Sequence, residues 1–600
     1  MAEGKVLRTV PEGLEYAAGR SGAGFTFVGE DGGERTVTFE QLAERARAIA
    51  HALQQRGMRK GDRVAIVLPQ PADFVPTFLG IVVGGGIAVP MYPPMALGQL
   101  GGYLDHARHI AAAAGISLLV TTPQIRAVLG TLHAAVPELR AILVVGDLED
   151  GDPSALRAPA IRLDDPCFLQ FTSGSTSRPK GVVVTHDNLA HNCHAIMREG
   201  LRTDASDRGL SWLPLFHDMG LIGFVLAPLH HRVPVTFLMP TAFLRRPSLW
   251  LQKLSEHRGT ITYAPNFAYG LATRRVRDEE IEGLDLSALR VAGCGAEPIH
   301  AETLRAFARR FAPVGFRLEA FVPSYGMAES TLAIAFARGV PTDRVLAEPL
   351  WAEGRAEPAQ PSATEEQTVE IVGCGGPFED HGLRIVDVES RQVLGERRVG
   401  EIEVRGPSVM KGYWRDVERT AEVLGADGWM RTGDLGYLAG GQLFICGRAK
   451  DLIIVHGRNH HPQDIEWVAG SVEGVRTGNV VAFAASRPGL DREAVVVVAE
   501  TREPPERHRE IESRIRQEVQ RVLGLALDEV VLAPPGTVPK TSSGKLQRSR
   551  ARQAFEAGTL APRASESGLR VAGRIVQGEL VRRFAELRLA IFGSRRDGGA

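Results

Sequence analysis

The sequence predicts an α/β protein. A large N-terminal domain of helix-covered parallel sheets carries a smaller β-barrel-like part, and a small α+β C-terminal domain follows. Three observations lead there. Six hundred residues exceed what one hydrophobic core accommodates. Strand-like and helix-like runs alternate through about residue 300, the pattern of parallel strands covered by crossover helices. The pattern then changes twice, becoming strand-rich over 368–446 and returning to a βα alternation past Arg448.

The elements follow from local chemistry. Thr38-Phe39-Glu40-Gln41 has the spacing of a capping box and opens a helix through about Arg56, which Gly57 stops. Arg63 to Leu68 reads as a short buried strand, a helix starts at about Pro71, and Ile87 to Val89 is a second strand. Residues 340–367 are rich in Pro, Ala and Glu and read as an insertion or long loop. Glu401 to Arg405 alternates polar and apolar residues as a half-buried strand does. Beyond a boundary placed near 447–450, a strand is expected at 495–500 and a helix at 507–523. The expected domains are thus 1–447 and 448–560, with a tail over 561–600. From Gly568 to Gly593 that tail sets arginines against Val571, Ile575, Phe584 and Ile591, as a helix packed on its own domain would; docking on a membrane surface or partner is the alternative.

Composition excludes several classes. A net charge of −1, with basic and acidic residues interspersed, gives no electrostatic reason to bind nucleic acid. The five cysteines are widely spaced without a C-x-x-C pair, which argues against a disulfide framework and fits a reducing cytoplasm. The first residues form no signal peptide, and the longest apolar run, Phe78 to Val89, is too short to span a bilayer.

The strongest chemical signal runs from Phe171 to Gly181. An apolar strand, Cys167 to Phe171, enters a loop containing Thr172, Ser173, Gly174, Ser175 and Thr176 and ending at Lys180. Small residues let backbone N–H groups approach an anion, hydroxyls add donors, and Lys180 supplies a compact cation for phosphate. The spacing is not that of the common P-loop. By composition alone a flexible Ser/Gly loop remains open.

The order of residues decides between these. T-S-G-S-T-x-x-P-K-G resembles the phosphate loop of the adenylate-forming superfamily of acyl-CoA synthetases, fatty-acyl-AMP ligases, luciferases and adenylation domains. Further segments resemble its other motifs in the expected order. Gly295, Ala296 and Glu297 match the adenine-side turn. Tyr325, Gly326, Met327 and Glu329 match the aromatic-Gly-x-x-Glu segment, Asp434 the T-G-D motif, Arg448 and Lys450 the hinge, and Lys545 the C-terminal P-K-T-x-S-G-K loop. The resemblance spans about residues 35–555. It implies that Tyr325 lies on the adenine, Glu329 holds Mg²⁺, Asp434 and Arg448 hold the ribose, Lys450 is the pivot of a mobile small domain, and Lys545 is the catalytic lysine. ATP and Mg²⁺ are the implied cofactors.

The segment Trp212 to Gly223, with F-H-D-M-G-L-I-G at its centre, resembles fatty-acyl-AMP ligases more closely than long-chain acyl-CoA synthetases. So do Val89 to Pro94, Ala264 to Tyr269 and Gly457 to Glu466. That branch implies a fatty acid as substrate and, in trans, the phosphopantetheine thiol of an acyl carrier protein as acceptor. It also implies that His217 lies near the substrate carboxylate, against the rival of a satisfied core histidine, and that an insertion near 340–367 hinders the movement needed to accept coenzyme A. A long-chain acyl-CoA synthetase and a catalytically inactive nucleotide-binding relative are the alternatives.

Two lookalikes carry blander expectations. His186, His191, Cys193 and His194 cluster as metal ligands can, but they follow a plausible N-cap at Thr185 and read as ordinary helix positions. Gly84-Gly85-Gly86 lies between a helix and a strand, the reverse of a dinucleotide-binding turn, and reads as packing.

Overall fold

The computed structural model describes residues 6–94, 100–172, 179–455, 458–485, 493–541 and 544–561. Two large sheets organise the N-terminal domain. One has the strand order 141–144, 118–121, 63–67, 87–90, 166–172, 180–185, with all pairs parallel except the last. The other runs through 376–377, 333–336, 321–326, 291–294, 261–264, 209–211, 235–237, 24–28 and 34–38, parallel through its centre and antiparallel at both edges. Central strands buried on both faces explain the near-continuous apolar runs, such as Val64 to Val67 at 0% exposure.

The local expectations hold at the N-terminus. The helix Phe39–Gln55 is capped reciprocally: the Gln41 N–H donates to Thr38 Oγ1 at 3.2 Å, and the Thr38 N–H donates to Gln41 Oε1 at 3.0 Å. The strand Arg63–Val67, the helix Pro71–Val83 and the strand Ile87–Pro90 follow. Thr185 caps the helix His186–His194 through the Asn188 N–H at 3.1 Å, and Cys193 is buried in it. Gly84 and Gly86 pack against Met58, where a Cβ would come within 3.0 Å or less.

One expectation needs correction. Residues 340–367 are not simply a loop. Thr342–Leu346 pairs antiparallel with Thr368–Val372, and the helix Ala347–Glu353 lies between them. Val345, Leu350 and Ala356 join Tyr437, Phe444 and Cys446 in a separate small core. Pro and Glu mark the turns and exposed faces here, so composition hides three inward-facing apolar residues.

Strands 382–386, 400–405, 430–439 and 442–448 form the antiparallel, strand-rich part. The smaller C-terminal domain has its own three-stranded sheet, 475–485, 494–501 and 529–533. The helices Pro462–Gly470, Pro505–Leu523 and Arg548–Glu556 cover it. Its core, including Ile465, Val497, Ile511, Ile515 and Val519, is separate from that of the large domain. The expected amphipathic tail lies outside the described residues.

Candidate active site

The C-terminal ends of the central parallel strands, the strand-rich part and the C-terminal domain enclose a cleft of about 2320 Å³. Ligand sites of open parallel sheets lie at such strand ends.

Thr172 and Lys180 are register partners on the antiparallel pair 166–172 and 180–185, so they flank the mouth of the phosphate-loop segment. Ser173, Gly174, Ser175 and Thr176 lie outside the described residues. The Lys180 ammonium sits 4.8 Å from the Tyr413 ring centroid. Burial lowers its pKa, and the nearby Glu329 carboxylate acts in the opposite direction. The Tyr413 hydroxyl in turn donates to Glu329 Oε1 at 2.9 Å. Lys180, Glu329 and Tyr413 therefore cluster at one end of the cleft, beside Thr172.

A second group lies on the strand-rich part. Asp434 and Arg448 face each other because their strands pair in that register, and the Arg448 Nε donates to Asp434 Oδ1 at 2.9 Å. The Tyr325 hydroxyl donates to Asp434 Oδ2 at 2.7 Å. Asp434 is 7% exposed, so its charge requires such partners, and it raises the pKa of Arg448. Gly326 and Met327 continue from Tyr325 along the cleft wall.

Next to Tyr325, at the end of the adjoining strand, Ala296 takes φ +68 in the Gly295-Ala296-Glu297 turn. Glu297 Oε1 accepts the Phe267 N–H at 2.6 Å, while burial raises the carboxyl pKa. His217 precedes the short helix Asp218–Leu221. Burial pushes its pKa down to about 4, Asp218 opposes that, and the positive charge of Lys545 adds to it. Its imidazole is therefore neutral at physiological pH.

Lys545 reaches this cleft from the C-terminal domain. Its backbone turn is closed by the Thr541 N–H donating to Lys545 O at 2.8 Å and by the Lys545 N–H donating to Thr541 Oγ1 at 3.0 Å. Gly544, at φ +86, adopts the left-handed conformation this turn needs. The lysine's charge acts on both His217 and Glu297, groups of the large domain. Lys450, in a single turn directly after Arg448, lines the same cleft, and its charge acts on Lys180.

Every sequence-predicted site residue within the described segments thus lines one cleft. Motif reading missed Tyr413, which bridges Lys180 and Glu329, and whose only sequence signal is an aromatic pair, Tyr413-Trp414, in a Gly-rich stretch. It also missed Tyr263, a cavity-lining aromatic on the strand Ile261–Ala264.

Comparison with known proteins places this geometry. The family model described as AMP-binding enzyme matches residues 14–414. A putative acyl-CoA synthetase of Caulobacter vibrioides is 39% identical over 561 residues, covering 92% of this chain and 96% of the relative. The medium-chain-fatty-acid–[acyl-carrier-protein] ligase JamA of Moorena producens is 36% identical over 571 residues, covering 91% and 95%. A structure from a study of fatty acyl-adenylate ligases of E. coli and L. pneumophila superposes with a TM-score of 0.86 at 34% identity, covering 92% of this chain and 99% of that one. With the motif residues converging on one cleft and full-length relatives of this kind, the chain belongs to the AMP-binding enzyme family and has the adenylate-forming fold.

Proposed function

We propose that this protein is a fatty-acyl-AMP ligase. It joins a fatty acid to ATP as acyl-adenylate with release of pyrophosphate, then passes the acyl group to the phosphopantetheine thiol of an acyl carrier protein. The observation that carries the first half is the convergence of Lys545, Lys180, Glu329 and Asp434 on one cleft from two domains.

The reaction brings a carboxylate to a polyphosphate, so its barrier is largely electrostatic. Lys545 is placed to neutralise charge between the carboxylate and the α-phosphate, holding both for in-line attack. Lys180 and the hydroxyl-rich segment 172–176 receive the leaving pyrophosphate. Asp434 and Arg448 hold the ribose, with Tyr325 beside the adenine. His217, kept neutral by burial, orients the substrate carboxylate without adding a competing charge. Glu329 suits Mg²⁺: it offers a hard carboxylate beside the phosphate loop, and this ion takes few protein ligands and completes its shell from phosphate and water. When bound there, Mg²⁺ would neutralise phosphate charge. No protein nucleophile is required, because the substrate carries its own.

We place the domain division at 447/448 and the pivot at Lys450. Rotation of 448–560 would withdraw Lys545 and open a path for the thiol. Two aromatic contacts bear on this movement. Trp351 on the helix Ala347–Glu353 lies 4.6 Å from His461 at the start of the helix Pro462–Gly470. His300 stacks on Trp467 at 3.8 Å. A restrained C-terminal domain favours an acceptor that brings its own docking surface over free coenzyme A, and the named activity of JamA supports the same choice.

The test incubates the enzyme with ATP, Mg²⁺, a fatty acid and either coenzyme A or a holo acyl carrier protein. Acyl-AMP persisting with coenzyme A and consumed by the carrier is the expected result. Rapid acyl-CoA formation would instead establish an acyl-CoA synthetase, and absence of AMP and pyrophosphate formation would overturn adenylation.

A further inference from the structure

The loop that carries Lys545 is held at both of its ends by buried charges that the motifs leave unassigned. It leaves the sheet after the strand Glu529–Ala533 and ends in the helix Arg548–Glu556. On the entry side, Glu500 accepts the Gly536 N–H at 2.8 Å and the Val538 N–H at 2.9 Å, and Arg476 pairs with the same carboxylate. On the exit side, Arg548 makes a fork onto Glu466: Nε donates to Oε1 at 2.8 Å and Nη2 to Oε2 at 2.7 Å. Its Nη1 donates to Asp451 Oδ2 at 2.8 Å. Glu466 Oε1 also accepts the Ala482 N–H at 3.1 Å, which ties the pair to the sheet strand Val475–Ala485.

Asp451 directly follows Lys450, in the turn Ala449–Asp451, and Arg548 lies three residues beyond Lys545. One guanidinium therefore joins the chain just after the proposed pivot, the helix Pro462–Gly470 and the base of the lysine loop. The Arg548, Asp451 and Glu466 side chains are 17%, 15% and 8% exposed. Ion pairs this buried lose in desolvation much of what they gain in attraction, so they add little net stability, whereas a bidentate fork fixes direction. Between the two clamps the loop is closed by its own backbone, including the Gln547 N–H donating to Pro539 O at 2.9 Å. Lys545 itself is exposed, so its ammonium is placed through the base of the loop rather than by core packing.

We infer that Arg548 is a positioning residue for adenylation. Its fork onto Glu466 and its bond to Asp451 make the pivot and the lysine loop one rigid unit, so that Lys545 arrives at the reactants in a fixed place. All three guanidinium nitrogens donate within this cluster, so Arg548 acts through Lys545 and not on the reactants. Its loss spares acyl transfer from ready-made acyl-AMP, a step that has no need of Lys545. This role rests on the acid activation proposed above.

The test compares two half-reactions in full-length wild type, Arg548→Met and Arg548→Lys. One is ATP–pyrophosphate exchange with saturating octanoate; the other is transfer from supplied octanoyl-AMP to whichever of coenzyme A and a holo acyl carrier protein the wild type uses. Their ratio within one preparation is independent of the fraction of enzyme correctly folded. Arg548→Met should lower the ratio by about 10-fold or more through kcat of exchange, since misplacing a reacting group by about 1 Å can cost about 10²-fold. The KM for ATP should stay within about 3-fold of wild type. Arg548→Lys keeps the charge but lacks the fork, and should lower the ratio by about 3-fold or more; it decides the matter where Arg548→Met does not accumulate. An unchanged ratio, or an equal fall in both half-reactions, assigns Arg548 to stability alone and overturns the role while adenylation stands. Failure of both variants to fold, or a wild type that uses neither thiol, overturns it too. A wild type that exchanges with no carboxylic acid overturns adenylation as well.

Discussion

Replacing Lys545 by Ala separates chemistry from folding. The turn that carries it is closed by backbone atoms and Thr541 Oγ1, none of which the substitution removes, and the side chain is exposed to the cleft rather than packed. Thermal stability should therefore change by less than about 0.5 kcal/mol, as at ordinary surface positions. The reaction should suffer far more. Two unit charges about 4 Å apart interact by about 4 kcal/mol at an effective dielectric constant of about 20. A lysine placed between carboxylate and α-phosphate should then contribute about 3–4 kcal/mol, equivalent to a loss of about 10²–10³ in kcat. ATP–pyrophosphate exchange with saturating acid measures this. ATP affinity, which we propose rests mainly on Asp434, Arg448 and Lys180, should move less than about 3-fold, within about 0.7 kcal/mol. Retention of more than about a third of the wild-type exchange rate, under 0.7 kcal/mol, would refute the electrostatic role. A parallel fall in thermal stability would assign the loss to folding.

Three further outcomes are expected. Asp434→Asn removes the charge that accepts from Tyr325 and Arg448, and ATP binding should weaken by about 10-fold or more while stability falls by less than about 1 kcal/mol, because Arg448 is half-exposed; competition binding and thermal melts report the two effects. Trp351→Ala removes the aromatic contact with His461, worth about 0.5–1.5 kcal/mol, so acyl-CoA formation should rise by about 2- to 10-fold over wild type in a thioester assay. His186, 2% exposed, accepts the Val10 N–H, and burial pushes its pKa down to about 4. Its folded pKa is below the unfolded value of about 6.5, so between these values the unfolded chain binds the extra proton and stability falls as pH falls. At pH 5, about 1.5 units below the unfolded pKa, this costs about 2 kcal/mol at about 1.36 kcal/mol per unit. Melting curves at pH 7.5 and 5 should show the loss, and His186→Gln should reduce it.

Much of this protein was determined by sequence alone. Capping boxes at Thr38 and Thr185 are local bonds between residues three apart, so their helices could be read directly. The central strands were legible because burial on both faces demands unbroken apolar runs. The site residues were nameable because phosphate, ribose and carboxylate chemistry restricts which side chains can serve, and the order of the motifs restricts the rest. Tertiary structure decided what depends on distant pairing. The helix Ala347–Glu353 was hidden by composition, since its stability comes from Leu350 packing against Tyr437 and Phe444 almost a hundred residues away. Tyr413 acquires meaning only where its hydroxyl meets Glu329 and its ring meets Lys180. The Tyr263 ring lies across the sheet only because Gly293, beside it on another strand, carries no side chain. Such contacts are set by register and packing between segments, which no local pattern encodes.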